Sequence, residues 1–142
     1  MGFTLKIEGQ ENIQLGVKSI VTVKFKTETP VDSNARSTDL GTSIIVTGKI
    51  LAAVGGEEAD ETIKLAKWSM VPAEKSDCYR ALTVEVVAVD EVVRQYYFPN
   101  AFVVDYTERY GESEGTGTFR LVVKQKKDKL PDVKIEGGYS SY

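Results

Sequence analysis

Histidine is absent from this chain of 142 residues, and cysteine occurs once, as Cys78. Without imidazole there is no Ser-His-Asp or Cys-His relay and none of the usual zinc sites, where imidazole is the base or the ligand. A lone thiol closes no intrachain disulfide, and no imidazole stands ready to take its proton. Folding in the reducing cytoplasm is therefore expected. No stretch approaches the roughly 20 apolar residues of a membrane-spanning helix. The start, Met1-Gly2-Phe3-Thr4-Leu5-Lys6, turns polar without the apolar run of a signal peptide, so no membrane is expected as a partner. A basic excess is missing too. The 18 Lys and Arg against 21 Asp and Glu leave a net charge of −3, which provides no footprint for a phosphate backbone. Direct sequence-specific nucleic-acid binding is not expected.

What is present is the mixture of an ordinary globular chain, 42% hydrophobic and 27% charged with both signs interspersed. A domain of this length buries about 68–70% of its unfolded surface, enough for a core without staples. A single domain over residues 1–136 is expected, followed by a flexible Gly-Gly-Tyr-Ser-Ser-Tyr tail over 137–142. β-branched residues in short alternating runs predict strands at Phe3 to Ile7, Ile20 to Lys26 and Ser43 to Leu51. In the second of these Val21, Val23 and Phe25 alternate with Thr22, Lys24 and Lys26. Between them Thr27 to Thr42 is dominated by turn formers and polar residues, a loop of a length that is usually functional or disordered.

Gly55-Gly56 then breaks the chain before a helix expected over about 58–70. Its apolar positions Ala59, Ile63, Ala66 and Met70 recur at helical spacing, with Leu65 and Trp68 beside them as core residues. Glu57, Glu58, Asp60 and Glu61 sit where the helix dipole favours negative charge, and Pro72 stops continuation. Further on, Tyr79 to Val89, Val92 to Phe98, Ala101 to Tyr110 and Thr118 to Lys126 predict an antiparallel meander. Phe98-Pro99-Asn100 and the glycines at 111, 115 and 117 supply its turns. Phe102, Val104 and Tyr106 are expected on one face of the third strand, and Phe119, Leu121 and Val123 on one face of the fourth. The fold class that follows is mainly β: an antiparallel β-barrel or tight two-sheet sandwich with one flanking α-helix.

Candidate chemistry reduces to structure at each point. Asp32-Ser33-Asn34-Ala35-Arg36 begins like a calcium loop, but Arg36 puts a cation where a third oxygen should stand, and Ser43 replaces the bidentate glutamate. The glycines at 111, 115 and 117 lead into a strand rather than a helix N-terminus, so they make a hairpin and no phosphate cradle. Gly48-Lys49 lacks the rest of a nucleotide-binding loop. The acids Asp105, Glu108, Glu112 and Glu114 could supply a carboxylate pair, although solvated strand-end charges are the simpler reading. Lys124, Lys126, Lys127 and Lys129 read as protection of an exposed edge or strand end. Tyr96 and Tyr97 must point to opposite faces, and tyrosine suits a barrel boundary and an interface alike. No metal, cofactor or catalytic residue is assigned, and an enzyme is not expected.

The run from Tyr79-Arg80-Ala81-Leu82-Thr83-Val84 through Phe98-Pro99-Asn100-Ala101-Phe102 to Gly117-Thr118-Phe119-Arg120-Leu121 resembles phage-tail tube proteins and the haemolysin-coregulated tube protein of type VI secretion. The resemblance is of layout: a small barrel, a helix on its flank, a long early loop and a C-terminal meander, from about Phe3 to Lys127. Pro30 to Gly41 is also similar to a segment of clostridial proteins sometimes labelled membrane-associated proteases. The chain has no HExxH, no GxSxG and no apolar span to justify either half of that label. The tube resemblance implies a self-assembling subunit of a phage tail or tail-like contractile injection particle, forming stacked rings around a lumen. It implies copies of itself as partners, with sheath or baseplate proteins beside them, and a location in the cytoplasm at synthesis and then in a virion tail or released particle. By position it makes the loop of residues 27–42 the stacking or neighbour-clasping element, with Asp32, Asn34, Arg36 and Asp39 at the subunit interface. The alternative is a monomeric or dimeric β-barrel binding module for a small molecule, sugar or peptide, its pocket lined by some of Trp68, Tyr96, Tyr97 and Tyr106.

Overall fold

The computed structural model describes residues 1–28, 41–50, 61–112 and 116–138. The strands are β1 (Gly2–Glu8), β2 (Ile13–Leu15), β3 (Ile20–Glu28), β4 (Gly41–Ile50), β5 (Arg80–Ala88), β6 (Glu91–Arg109), β7 (Gly117–Gln125) and β8 (Lys134–Gly137), with helix α1 (Thr62–Ser69) between β4 and β5. All the pairings are antiparallel, in the order β2-β1-β5-β6-β7-β4-β3, and β8 adds to β6. The mainly β class is as expected. Two strands were not legible: β2 has three residues, and β8 is exposed throughout. Gly137, expected in the free tail, pairs with Arg94 in β8, and the Gly138 amide donates to the Val93 carbonyl. The remainder of the tail, 139–142, lies outside the described residues, as does the beginning of the expected helix at 58–60.

β6 sets the architecture. Its 19 residues pair with β5 from Glu91 to Ala101 and with β7 from Ala101 to Arg109. The first half of β6 therefore belongs to a layer with β5, β1 and β2, the second half to a layer with β7, β4 and β3. The sheet curls until β3 comes close to β1, with no ladder between them among the described residues.

The predicted turn at Phe98-Pro99-Asn100 does not form. Phe98 faces Leu82 while Ala101 faces Arg80, so Pro99 and Asn100 bulge out of register and the strand continues. Proline has no N–H for a ladder and is tolerated at such a bulge, and the bulge bends the strand between layers. Asn100 is fixed on both sides: its N–H donates to Gln125 Oε1 (3.1 Å), and its carbonyl accepts from the Lys126 amide (3.0 Å).

A second bulge, between Val103 and Asp105, corrects the expected face of this strand. Val103 faces Val123 and Tyr106 faces Leu121, so these two look into the core, while Val104 is left 48% exposed. A third bulge, between Ile20 and Thr22, likewise leaves Val21 out of the Val23 and Phe25 face and 50% exposed.

The core is one cluster. Leu5, Ile7, Ile44, Val46, Leu82, Val84, Phe98, Phe119, Leu121 and Val123 come from the strands, and Leu65 and Trp68 from the helix. Burying each such aliphatic or aromatic side chain contributes about 1.5–3 kcal/mol. Gly48 has a steric duty there: a Cβ would fall 2.2 Å from the Ser19 carbonyl and 2.6 Å from the Phe119 ring. Helix α1 buries Thr62, Leu65 and Trp68, not the expected stripe, because Ile63 and Met70 are 53% and 74% exposed. In so short a helix the indole decides which face turns inward. Its Nε1–H donates to the Cys78 carbonyl (3.0 Å), and the Arg80 guanidinium lies 5.5 Å over the ring.

Arg80 is almost fully buried and is neutralised by Asp77, with Nε to Oδ1 at 3.1 Å and a terminal nitrogen to Oδ2 at 2.6 Å. This fork ties β5 to α1, since the same cation covers Trp68. At the other end of β5, Ala88 pairs with Glu91 across the two-residue turn Val89-Asp90, where φ is +52° and +62°. Both central residues must be left-handed in such a turn. For a β-branched valine that is unfavourable by about 1–2 kcal/mol.

The Arg80 hydrogen bond holds the Asp77 carboxyl below the usual carboxylate range. Its stabilisation is therefore full above the unfolded value of about 3.9 and is lost as pH falls through the lower folded value. Asp77→Asn should lower stability at pH 7 by about 1.5–3 kcal/mol, a difference that shrinks toward pH 2. Thermal melts of both proteins across that range check this; an equal gap at both ends would contradict the assignment.

Candidate subunit-contact surface

A curled sheet that does not close keeps backbone donors and acceptors at its margins. Ala101 of β6 is bridged to Arg80 on one side and to Gln125 on the other. Beyond it, residues 102–109 pair with β7 alone, so the opposite margin of this half-strand has no ladder among the described residues. A second long margin is the outer side of β3, which ends the strand order at the side opposite the three-residue β2. Both carry a bulged, half-exposed valine, Val104 on one and Val21 on the other. On β3 the margin is also charged: Lys24 and Lys26 alternate with Val23 and Phe25, and Lys26 pairs with Glu28, holding that carboxyl below its usual range. Charged side chains on an edge discourage indiscriminate pairing.

The β3–β4 ladder runs further than expected, through Thr27 with Thr42 to Glu28 with Gly41. The long loop thus springs from the tip of a paired hairpin. Asp32, Asn34, Arg36 and Asp39 lie outside the described residues. At the root of the loop, Thr42 Oγ1 is buried with no hydrogen-bond partner among the described residues.

The carboxylates of the second half of β6 do not come together as a pair. Asp105 faces Val122 on the outer side and meets Arg120 (3.3 Å), whereas Glu108 faces Phe119 on the inner side and accepts from Tyr106 (2.6 Å) and Tyr110 (2.9 Å). Each carboxylate is taken up separately, and Glu114 lies outside the described residues. The lysine run does not guard an edge at Lys124, because β7 lies between β6 and β4. It marks a strand end instead: Lys126 covers the Tyr79 ring at 4.9 Å, and a 3-10 helix follows over Lys127–Asp132.

The aromatic residues proposed for a ligand pocket are dispersed. Trp68 is buried under Arg80, Tyr96 stacks on Phe25 (4.7 Å), Tyr106 lies over Phe119 (6.4 Å), and Tyr97 points to the opposite face, near Lys134 (5.9 Å). An open cavity of about 590 Å³ lies instead beside the C-terminal end of α1, lined by Lys67, Met70, Val71, Pro72, Lys75 and Asp77 among others. The cavity and the Val89-Asp90 turn were both missed by the sequence reading. Val-Asp carries little of the Asn-Gly signal that marks a left-handed turn, although its place between two β-rich runs was visible.

No protein-family profile matches the chain, and no curated sequence matches it. Solved structures do share its fold. Hcp1 from Flavobacterium johnsoniae aligns over 100% of both chains at 16% identity with a TM-score of 0.60. A type six secretion system protein aligns over 87% of this chain and 80% of its own, at 11% identity and a TM-score of 0.57. A chain of the extended sheath–tube complex of an extracellular contractile injection system, PVC, aligns over 96% and 88%, at 13% identity and a TM-score of 0.53.

The two margins predict an asymmetry in hydrogen exchange. In isolated subunits, amides of β7, flanked on both sides, should be protected close to the global unfolding limit. Alternate amides of β3 and of residues 102–109 should exchange orders of magnitude faster. Protection of β3 equal to that of β7 would mean the margin is already covered.

Proposed function

We propose that this chain is a structural subunit that assembles with copies of itself into rings, stacked around a lumen, in a phage tail or tail-like contractile injection particle. The observation that carries the reading is the likeness in fold to Hcp1 along the whole of both chains, joined to two different margins that have no ladder among the described residues. A contact between unlike margins is head-to-tail and closes into a ring when the rotation per subunit divides a full turn. The open edge is then satisfied by the neighbour rather than by closure of each barrel.

On this reading the chain through β8 acts as one domain, which takes Gly137 from the expected tail into the expected domain of residues 1–136. The loop of residues 27–42, with Asp32, Asn34, Arg36 and Asp39, clasps a neighbouring copy, and sheath or baseplate proteins are the further partners. The subunit is made in the cytoplasm, is carried in the particle, and performs no catalysis. Its function is to line a passage, and its negative charge keeps a polyanionic cargo from adhering.

Light scattering over a wide concentration range, with negative-stain imaging, should show rings. Val21→Lys and Val104→Lys each sit on a margin and should leave folding stability within about 0.5 kcal/mol. Each should raise the concentration for half-assembly about tenfold or more, the equivalent of about 1.4 kcal/mol per contact. A strict monomer at every concentration, or rings indifferent to both substitutions, would contradict the proposal.

A further inference from the structure

The two ends of the β1–β5 strand pair differ in kind. At one end Met1, Val17, Val89 and Val92 are 86%, 54%, 95% and 45% exposed. They belong together. Gly2 pairs with Val87, a Cβ on Gly2 would meet Val17 Cγ1 at 2.8 Å, and Val87 pairs with Val92 next to the Val89-Asp90 turn. In the turn that ends this patch stand two exposed acids, Asp90 and Glu91, with no cationic partner among the described residues; Glu91, opposite Ala88, points away from the face of Val92. The patch is therefore an apolar knob with an acidic tip, held in a left-handed turn that valine disfavours.

At the other end of the same strands lies the cavity beside α1. Its apolar lining is Met70, Val71 and Pro72, and its charges are Lys67, Lys75 and Asp77. Asp77 is committed to Arg80 and to the Gln10 amide (3.4 Å), so the two lysines, which have no carboxylate partner among the described residues, set the sign. An apolar floor flanked by two cations is the complement of an apolar knob carrying two anions.

The knob cannot reach its own cavity. β5 separates them by nine residues, about 30 Å of extended chain. We infer that the Val89-Asp90-Glu91-Val92 knob of one copy seats in the Lys67–Asp77 cavity of the next copy along the strand axis. This deepens the ring reading, on which it rests, by assigning the stacking contact to surfaces away from the long loop. Because the two surfaces are unlike and face opposite ways, the contact does not saturate in a dimer but propagates. It also accounts for a valine where asparagine would suit the turn: the strained side chain is the part that is buried in the contact.

The test reads ring stacking separately from ring formation, by sedimentation velocity and negative-stain imaging. Asp90→Lys with Glu91→Lys should abolish stacks and leave single rings, and Lys67→Glu with Lys75→Glu should do the same. All four substitutions in one chain should restore stacking, since every subunit then carries the reversed pair. Val89→Asn should raise the melting temperature by a few degrees while weakening stacking about tenfold. Stacks unaffected by the charge reversals, or no recovery in the fourfold variant, would overturn the inference and leave rings standing. Linear oligomers that follow the charge swap without any ring would instead uphold the contact and remove the ring reading. Absence of any self-association would remove both.

Discussion

Backbone hydrogen bonding at the margins of the sheet is the constraint on which the molecule depends. β4, β5 and β7 have partners on both sides, but β3 and the second half of β6 each present one side with no ladder among the described residues. A row of unpaired amides and carbonyls is a template for another chain. Each margin bears a bulge and a half-exposed valine. A bulge increases local twist and limits which strands fit, so the margins combine openness with selectivity.

The same strand that leaves one margin open also holds the two layers together. Pro99 and Asn100 bend β6 at the point where its partner changes from β5 to β7, and Gln125 pins Asn100 from the second layer. Beneath the bend, Phe98 and Ala101 are fully buried. The helix closes the remaining side through Trp68, whose ring is held between the core and the Arg80–Asp77 fork. Arg80 thus links packing to electrostatics: its charge is satisfied by Asp77, and its planar face covers the indole.

Much of the fold was legible because the strands alternate cleanly where one face is buried. β7 is the plainest case, with Phe119, Leu121 and Val123 inward as read. The errors have a common physical origin in bulges, which shift the two-residue period by one. The bulge at Val104 moved Val103 into the core, and the one at Pro99-Asn100 turned an expected break into a continuous strand. Helical periodicity misled for another reason. Four apolar positions suggested a stripe, but tertiary contacts of Trp68 with Cys78 and Arg80 outweighed the pattern in an eight-residue helix. The contact surface was least legible, because unpaired margins are a property of strand order, which no local run of residues encodes.

Electron cryomicroscopy of the assembled protein, at a resolution that separates strands, tests the central claim most directly. The account predicts that β3 of one subunit lies about 4.8 Å from residues 102–109 of its neighbour, the spacing of hydrogen-bonded strands, so that the sheet runs on from subunit to subunit. Rings in which both margins face solvent, with neighbours joined only through side chains elsewhere, would contradict it.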